Sequence, residues 1–84
     1  MYYTYVLQRD MDKGFYVGFT KDLKLRCKRH SKGEVESTRD RRTLNLICYE
    51  ACLSQDDATK REKYLKTYHG KMFIKRRFKS YLTG

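Results

Sequence analysis

Proline and tryptophan are absent from this 84-residue chain, which leaves its five glycines as the main backbone punctuation. Acidic residues are scarce beside basic ones, 10 against 20, and the formal net charge is +10. Such a field attracts polyanions before any specific contact forms, so nucleic acid is the expected partner class. No apolar run approaches the roughly 20 residues that span a bilayer, and no signal-peptide pattern opens the chain. A membrane partner is therefore not expected, and a cytoplasmic location is. The three cysteines are an odd number without CxxC spacing, which argues against a disulfide framework and for a reducing compartment. There is no internal repeat, and the length suits one compact domain over residues 1–84.

What remains is a short series of elements with legible ends. Tyr2 to Leu7 alternates aromatic and β-branched residues, with Tyr3, Tyr5 and Leu7 on one face and Tyr2, Thr4 and Val6 on the other, and reads as a strand at least half buried on both faces. Turn chemistry from Asp10 to Gly14 separates it from a second strand, Phe15 to Phe19, which predicts an antiparallel hairpin. A register in which paired residues sum to 21 would set Tyr5 opposite Tyr16. Gly18 shares that face, and a glycine inside a strand marks a close approach, here expected for a phosphate. Thr20 or Asp22 caps a helix that runs to about Ser31. Lys32 to Arg42 is charged and aperiodic. Leu44 to Ala51 reads as a third strand. Ser54 and Asp57 form a capping-box-like start of a helix expected to stop near Gly70, and Ile74, Phe78 and Tyr81 space out a last helix. The predicted order is ββαβαα, an α/β fold with a small three-stranded antiparallel or mixed sheet flanked by helices.

Two charges interrupt apolar stripes in this pattern. Arg26 and His30 share a helical face with Leu23 and Cys27, and Glu62 falls between Ala58 and Leu65. Burying an unpaired charge costs several kcal/mol, roughly, so such a stripe is expected to border a polar cleft. Cys27 and His30 together with Cys48 and Cys52 offer zinc-ligating types, but their spacing lacks paired knuckles, and buried free thiols are the expectation. His69, beside Gly70 at an expected helix end, reads as a partner of the C-terminal dipole.

Taken alone, each residue has a plainer reading: packed tyrosines, an arginine reaching from the core edge to water, and a glutamate ion-paired with Arg61 or Lys66. In order, however, Tyr3-Thr4-Tyr5, Tyr16-Val17-Gly18, Arg26 with His30, and Ala58 through Glu62 to Leu65-Lys66 resemble the GIY-YIG nuclease superfamily, and in particular its small stand-alone bacterial members. Phe19 stands where the excision-repair type carries a lysine, and no late asparagine follows Gly70.

The resemblance implies a GIY-YIG fold and a metal-dependent DNA endonuclease, with Tyr5, Tyr16, Arg26, His30 and Glu62 as catalytic residues. Glu62 would hold Mg²⁺ or Mn²⁺, Arg26 would hold the phosphate oxygens, and Tyr5 or His30 would be the general base. Gly18, Lys21, Lys24, Lys28, Arg29, Lys32, Arg39, Arg41 and Arg42 are the expected contacts to nucleic acid, most of them with backbone phosphates and so with little sequence information. The implied substrate is DNA, branched or damaged, in repair or processing. RNA is left open, and targeting would fall to DNA shape or a protein partner. The alternatives are a nucleic-acid-binding module that does not cut, and a basic adaptor for ribonucleoprotein or protein.

Overall fold

The computed structural model describes residues 1–10, 12–32 and 44–83. The elements are β1 (Tyr2–Arg9), β2 (Phe15–Thr20), α1 (Leu23–Ser31), β3 (Leu44–Cys52), α2 (Gln55–Leu65), α3 (Tyr68–Arg77) and a short α4 (Lys79–Thr83). Arg39, Arg41 and Arg42, with the rest of the charged stretch from 33 to 43, lie outside the described residues.

The strands form one antiparallel sheet in the order β2-β1-β3. Side chains alternate across a strand, so β1 in the centre presents Thr4 and Val6 to one layer and Tyr5 and Leu7 to the other. Thr4 Oγ1 donates to the carbonyl of Ala58 on α2 at 2.8 Å, whereas the Tyr5 hydroxyl meets His30 on α1. Helices α1 and α2 thus cover opposite faces, and Thr4 to Gln8 are all buried. Apolar packing concentrates on the α2 side, where Val6, Val17, Leu65 and Ile74 form the core and Phe15, Phe73 and Phe78 pack against it. A bulge between Val6 and Leu7 makes β3 skip one residue, pairing Val6 with Cys48 but Leu7 with Leu46.

The hairpin is longer in its turn than the expected register assumed. The Asp12 carboxylate accepts from Gly14 N at 2.9 Å and from Arg9 Nε at 3.0 Å, and Arg9 N donates to Gly14 O, closing the loop at Arg9 and Gly14. Those bonds, the Gly14 backbone N–H foremost and the Arg9 side chain next, hold the Asp12 carboxyl below its usual range. Tyr5 consequently pairs with Gly18, and Tyr16 with Leu7. The expectation of Tyr5 opposite Tyr16 is thus off by two residues. An even slip preserves the faces, so both phenols still share one side of the sheet.

The C-terminal half departs from expectation at Thr67. There the helix begun at Ser54 ends at Leu65, and Thr67 Oγ1 accepts from Gly70 N at 3.1 Å to cap a new helix. His69 is therefore in the first turn of α3, not at a C-terminus, which removes its expected dipole role. The last helix opens before Gly70 and breaks at Phe78, giving α3 and α4.

Gly70 permits the sharp α2–α3 corner, since a Cβ there would strike the Tyr64 carbonyl and the Leu65 backbone. Gly70→Ala is expected to destabilise the protein by about 1–3 kcal/mol despite the better helix propensity of alanine, because backbone atoms cannot move aside as side chains do. Denaturant unfolding would read this as a lower midpoint with an unchanged slope.

Candidate active site

Asp22 starts the helix that carries the site: its carboxylate accepts from Leu25 N at 3.1 Å, fixing where α1 begins and hence which residues turn inward. Arg26 and His30, one turn apart, then face the sheet over Tyr5. The Tyr5 hydroxyl lies 3.0 Å from His30 Nε2 and accepts from Arg26 Nε at 3.3 Å. Tyr5 is 0% exposed and His30 1%. The Tyr16 ring packs edge-on against the imidazole, with centroids 5.0 Å apart, and its hydroxyl also interacts with the Arg26 guanidinium.

Gly18 has a different part from the one expected of it. A Cβ at that position would fall on the Tyr5 hydroxyl and ring, so the space it leaves open is filled by the phenol itself. The close approach seen in the sequence is therefore made by a side chain of the facing strand.

Burial raises the Tyr5 phenol above its ordinary value, with the bond from Arg26 pulling the other way as the smaller effect. His30 is lowered, first by burial and then by the Arg26 charge. The phenol thus keeps its proton at neutral pH and the imidazole lacks its second one. Arg26 donates into the phenol oxygen, and the phenol and the imidazole Nε2 share a hydrogen bond whose direction follows the imidazole tautomer, so Arg26, Tyr5 and His30 are linked in series.

Glu62 is carried by a different helix, α2. Arg61 grips Glu50 on β3 with Nε at 3.0 Å from one carboxylate oxygen and Nη2 at 3.1 Å from the other. A helix turns about 100° per residue, so with Arg61 facing β3 and Ala58 and Leu65 buried, Glu62 lies on the other flank of that buried stripe from Arg61. Its side chain is 21% exposed and pairs with Lys66 at 3.3 Å. The structure therefore gathers Tyr5, Tyr16, Arg26 and His30, with Gly18 against the Tyr5 ring, and pairs Glu62 with Lys66 on α2.

Sequence reasoning missed the pairing of Arg61 with Glu50 on β3. The Arg61 guanidinium also lies 4.7 Å from the Phe73 ring centroid. The only available signal was its place beside Glu62.

Among the described residues no three His, Cys, Asp or Glu side chains gather to hold a metal. Cys27 and His30 lie on the α1 side and Cys48 on the core side, and all three cysteines are free but half-buried rather than buried. The donor set nonetheless fits Mg²⁺, which keeps several waters and takes one or two carboxylates plus substrate phosphate. Glu62 offers such a carboxylate, restrained only by an exposed lysine.

Lys21, Lys24, Lys28, Arg29 and Lys32 are exposed on and beside α1, so the basic rim lies on the same layer as the phenol pair. No helix among the described residues is long and apolar enough to cross a membrane.

Residues 1–77 match the model of the GIY-YIG catalytic domain. The chain is also similar to UPF0213 protein SA0446 of Staphylococcus aureus strain N315 and UPF0213 protein MW0443 of strain MW2, each 34% identical over 58 residues that cover 68% of this chain and 71% of theirs. No solved structure gives a significant match. The chain belongs to the GIY-YIG family, and with it to a nuclease superfamily.

Proposed function

We propose that the chain is a DNA endonuclease that hydrolyses phosphodiester bonds with the help of one divalent ion. The observation that carries this reading is the buried hydrogen-bonded series Arg26–Tyr5–His30, a cation, a phenol and a neutral imidazole, which a purely structural pair of tyrosines would not need.

Arg26 binds the nonbridging oxygens through the rest of its planar fork and holds the charge that builds on them in the transition state. Tyr5 receives a proton from the attacking water as its own passes to His30 Nε2, while the new P–O bond forms and the bond to the leaving oxygen breaks. Tyr16 packs on the imidazole and keeps it aimed at Tyr5. Glu62 would hold Mg²⁺ or Mn²⁺, which supplies Lewis acidity at the leaving oxygen when bound. The basic rim contacts backbone phosphates with little base selectivity, as suits repair or processing of branched or damaged DNA.

Glu62→Gln should leave affinity for DNA in place and lower cleavage at least 100-fold. The check is supercoiled and branched DNA incubated with Mg²⁺ or Mn²⁺ against chelator. Cutting that is unchanged in this variant, or indifferent to chelator, overturns the metal assignment. Binding without cutting in the unmodified protein leaves the non-catalytic module.

A further inference from the structure

Across the sheet from the phenol pair lies a second basic concavity, of about 500 Å³, between the hairpin end and the C-terminal helices. Lys13 from the turn and Lys75 and Lys79 from α3 and α4 line it, with Phe15, Gln8 and Tyr81. We infer that this pocket is a second nucleic-acid contact that takes one nucleotide of a single strand, its phosphate on the lysines and its base against Tyr81. The inference rests on the nucleic-acid reading above and names a substrate feature, an unpaired strand, that the cutting site does not itself define.

Convergence is the first argument. Lys75 in the last turn of α3 complements its helix dipole, but that does not explain Lys79 from α4 and Lys13 from the hairpin turn meeting it. Lys13 sits at φ 59, a left-handed conformation that is unfavourable for a non-glycine residue, although Gly14 is its neighbour. Among the described residues no carboxylate lines the pocket, and the acid paired with these lysines is Asp10, 4.0 Å from Lys13 Nζ with both side chains largely exposed.

Shape and polarity are the second. The volume suits one nucleotide rather than a duplex. Tyr81 is 56% exposed, an aromatic face beside cations, the combination with which proteins hold single strands through stacking and charge. Gln8, 6% exposed, bonds the Lys13 carbonyl at a long 3.4 Å and provides a polar floor.

Phosphate and base face are common to DNA and RNA, so the probes are labelled oligothymidylate and oligouridylate, with a hairpin duplex for comparison. Anisotropy would be read over a salt series, using Glu62→Gln protein to prevent cutting. Combining Lys75→Glu with Lys79→Glu should weaken binding of one or both single strands at least tenfold and reduce the salt slope by about one to two. Tyr81→Ala should cost at least fivefold and Tyr81→Phe should restore it, with duplex affinity unchanged within twofold. Charge reversal at Lys60 and Lys63 on the exposed side of α2 controls for net charge. Equal losses in the control pair, or unchanged single-strand affinity in pocket variants that keep the unfolding midpoint, overturn the inference and leave the endonuclease reading standing. Failure of the Glu62→Gln protein to bind any probe overturns both.

Discussion

Arg26→Ala is expected to lower DNA cleavage by about 10²- to 10³-fold, the usual effect of removing one preorganised donor from a developing oxyanion. Arg26 Nε is held by the Tyr5 oxygen, and the Tyr16 hydroxyl steadies the same guanidinium, so the fork is fixed before a phosphate arrives. Preorganisation of that kind stabilises the transition state without reorganisation at the moment of reaction. Binding should suffer far less: one phosphate contact is lost among many, and the salt slope should fall by about one. Arg26→Lys should recover charge but not the planar two-point geometry, and so remain well below the native protein. Single-turnover cleavage of an end-labelled substrate separates these outcomes, with thermal unfolding as the check on folding. Cleavage that survives Arg26→Ala would mean the charge is held by another group, and the series Arg26–Tyr5–His30 would lose its catalytic meaning.

Local signals carried most of this arrangement. Asp22 and Ser54 are caps with side-chain oxygens, and each starts its helix where the spacing predicts. Arg26 and His30 are a turn apart on a nine-residue helix, so their common face follows from the helical period alone. Signals that depend on distant parts of the chain were not legible. The hairpin register rests on Asp12 bonding back to Arg9 and Gly14, which shifts pairing by two without altering any face. The break at Thr67 is concealed in a continuous helical pattern, because a threonine cap and a mid-helix threonine look alike until Gly70 is seen pressed on Leu65. The Glu62 stripe is visible in the spacing, whereas the Arg61 bond to Glu50, eleven residues earlier on another element, is not. Gly18 shows the same limit: a gap in a strand pattern states that something comes close, and only the fold shows that it is Tyr5.

The identity of the proton acceptor can be decided by pH. With His30 lowered by burial and by the Arg26 charge, and the Tyr5 phenol raised by burial, the imidazole is neutral and the phenol protonated across the neutral range. Cys27, the other titratable side chain acting on Tyr5 beside Tyr16, is pushed up by burial and stays a thiol there. If His30 takes the proton, cleavage should be level from about pH 7 to about pH 9 and fall only below about pH 6.5, where the imidazole begins to protonate. If an ionised Tyr5 were the base, the rate would climb about tenfold per pH unit over the same range. Folding stability supplies an independent reading of the same group. The unfolded chain protonates its histidine near the ordinary value of about 6.5, while the folded chain resists until lower pH, so between the two the unfolded state binds more protons. Stability should therefore rise with pH through that window and, as far as His30 contributes, level off above about 6.5. His30→Gln should remove both the acid limb of the rate and this part of the acid instability. A His30→Gln protein that cuts at the native rate with the native pH profile would exclude the imidazole as acceptor and return the role to Tyr5.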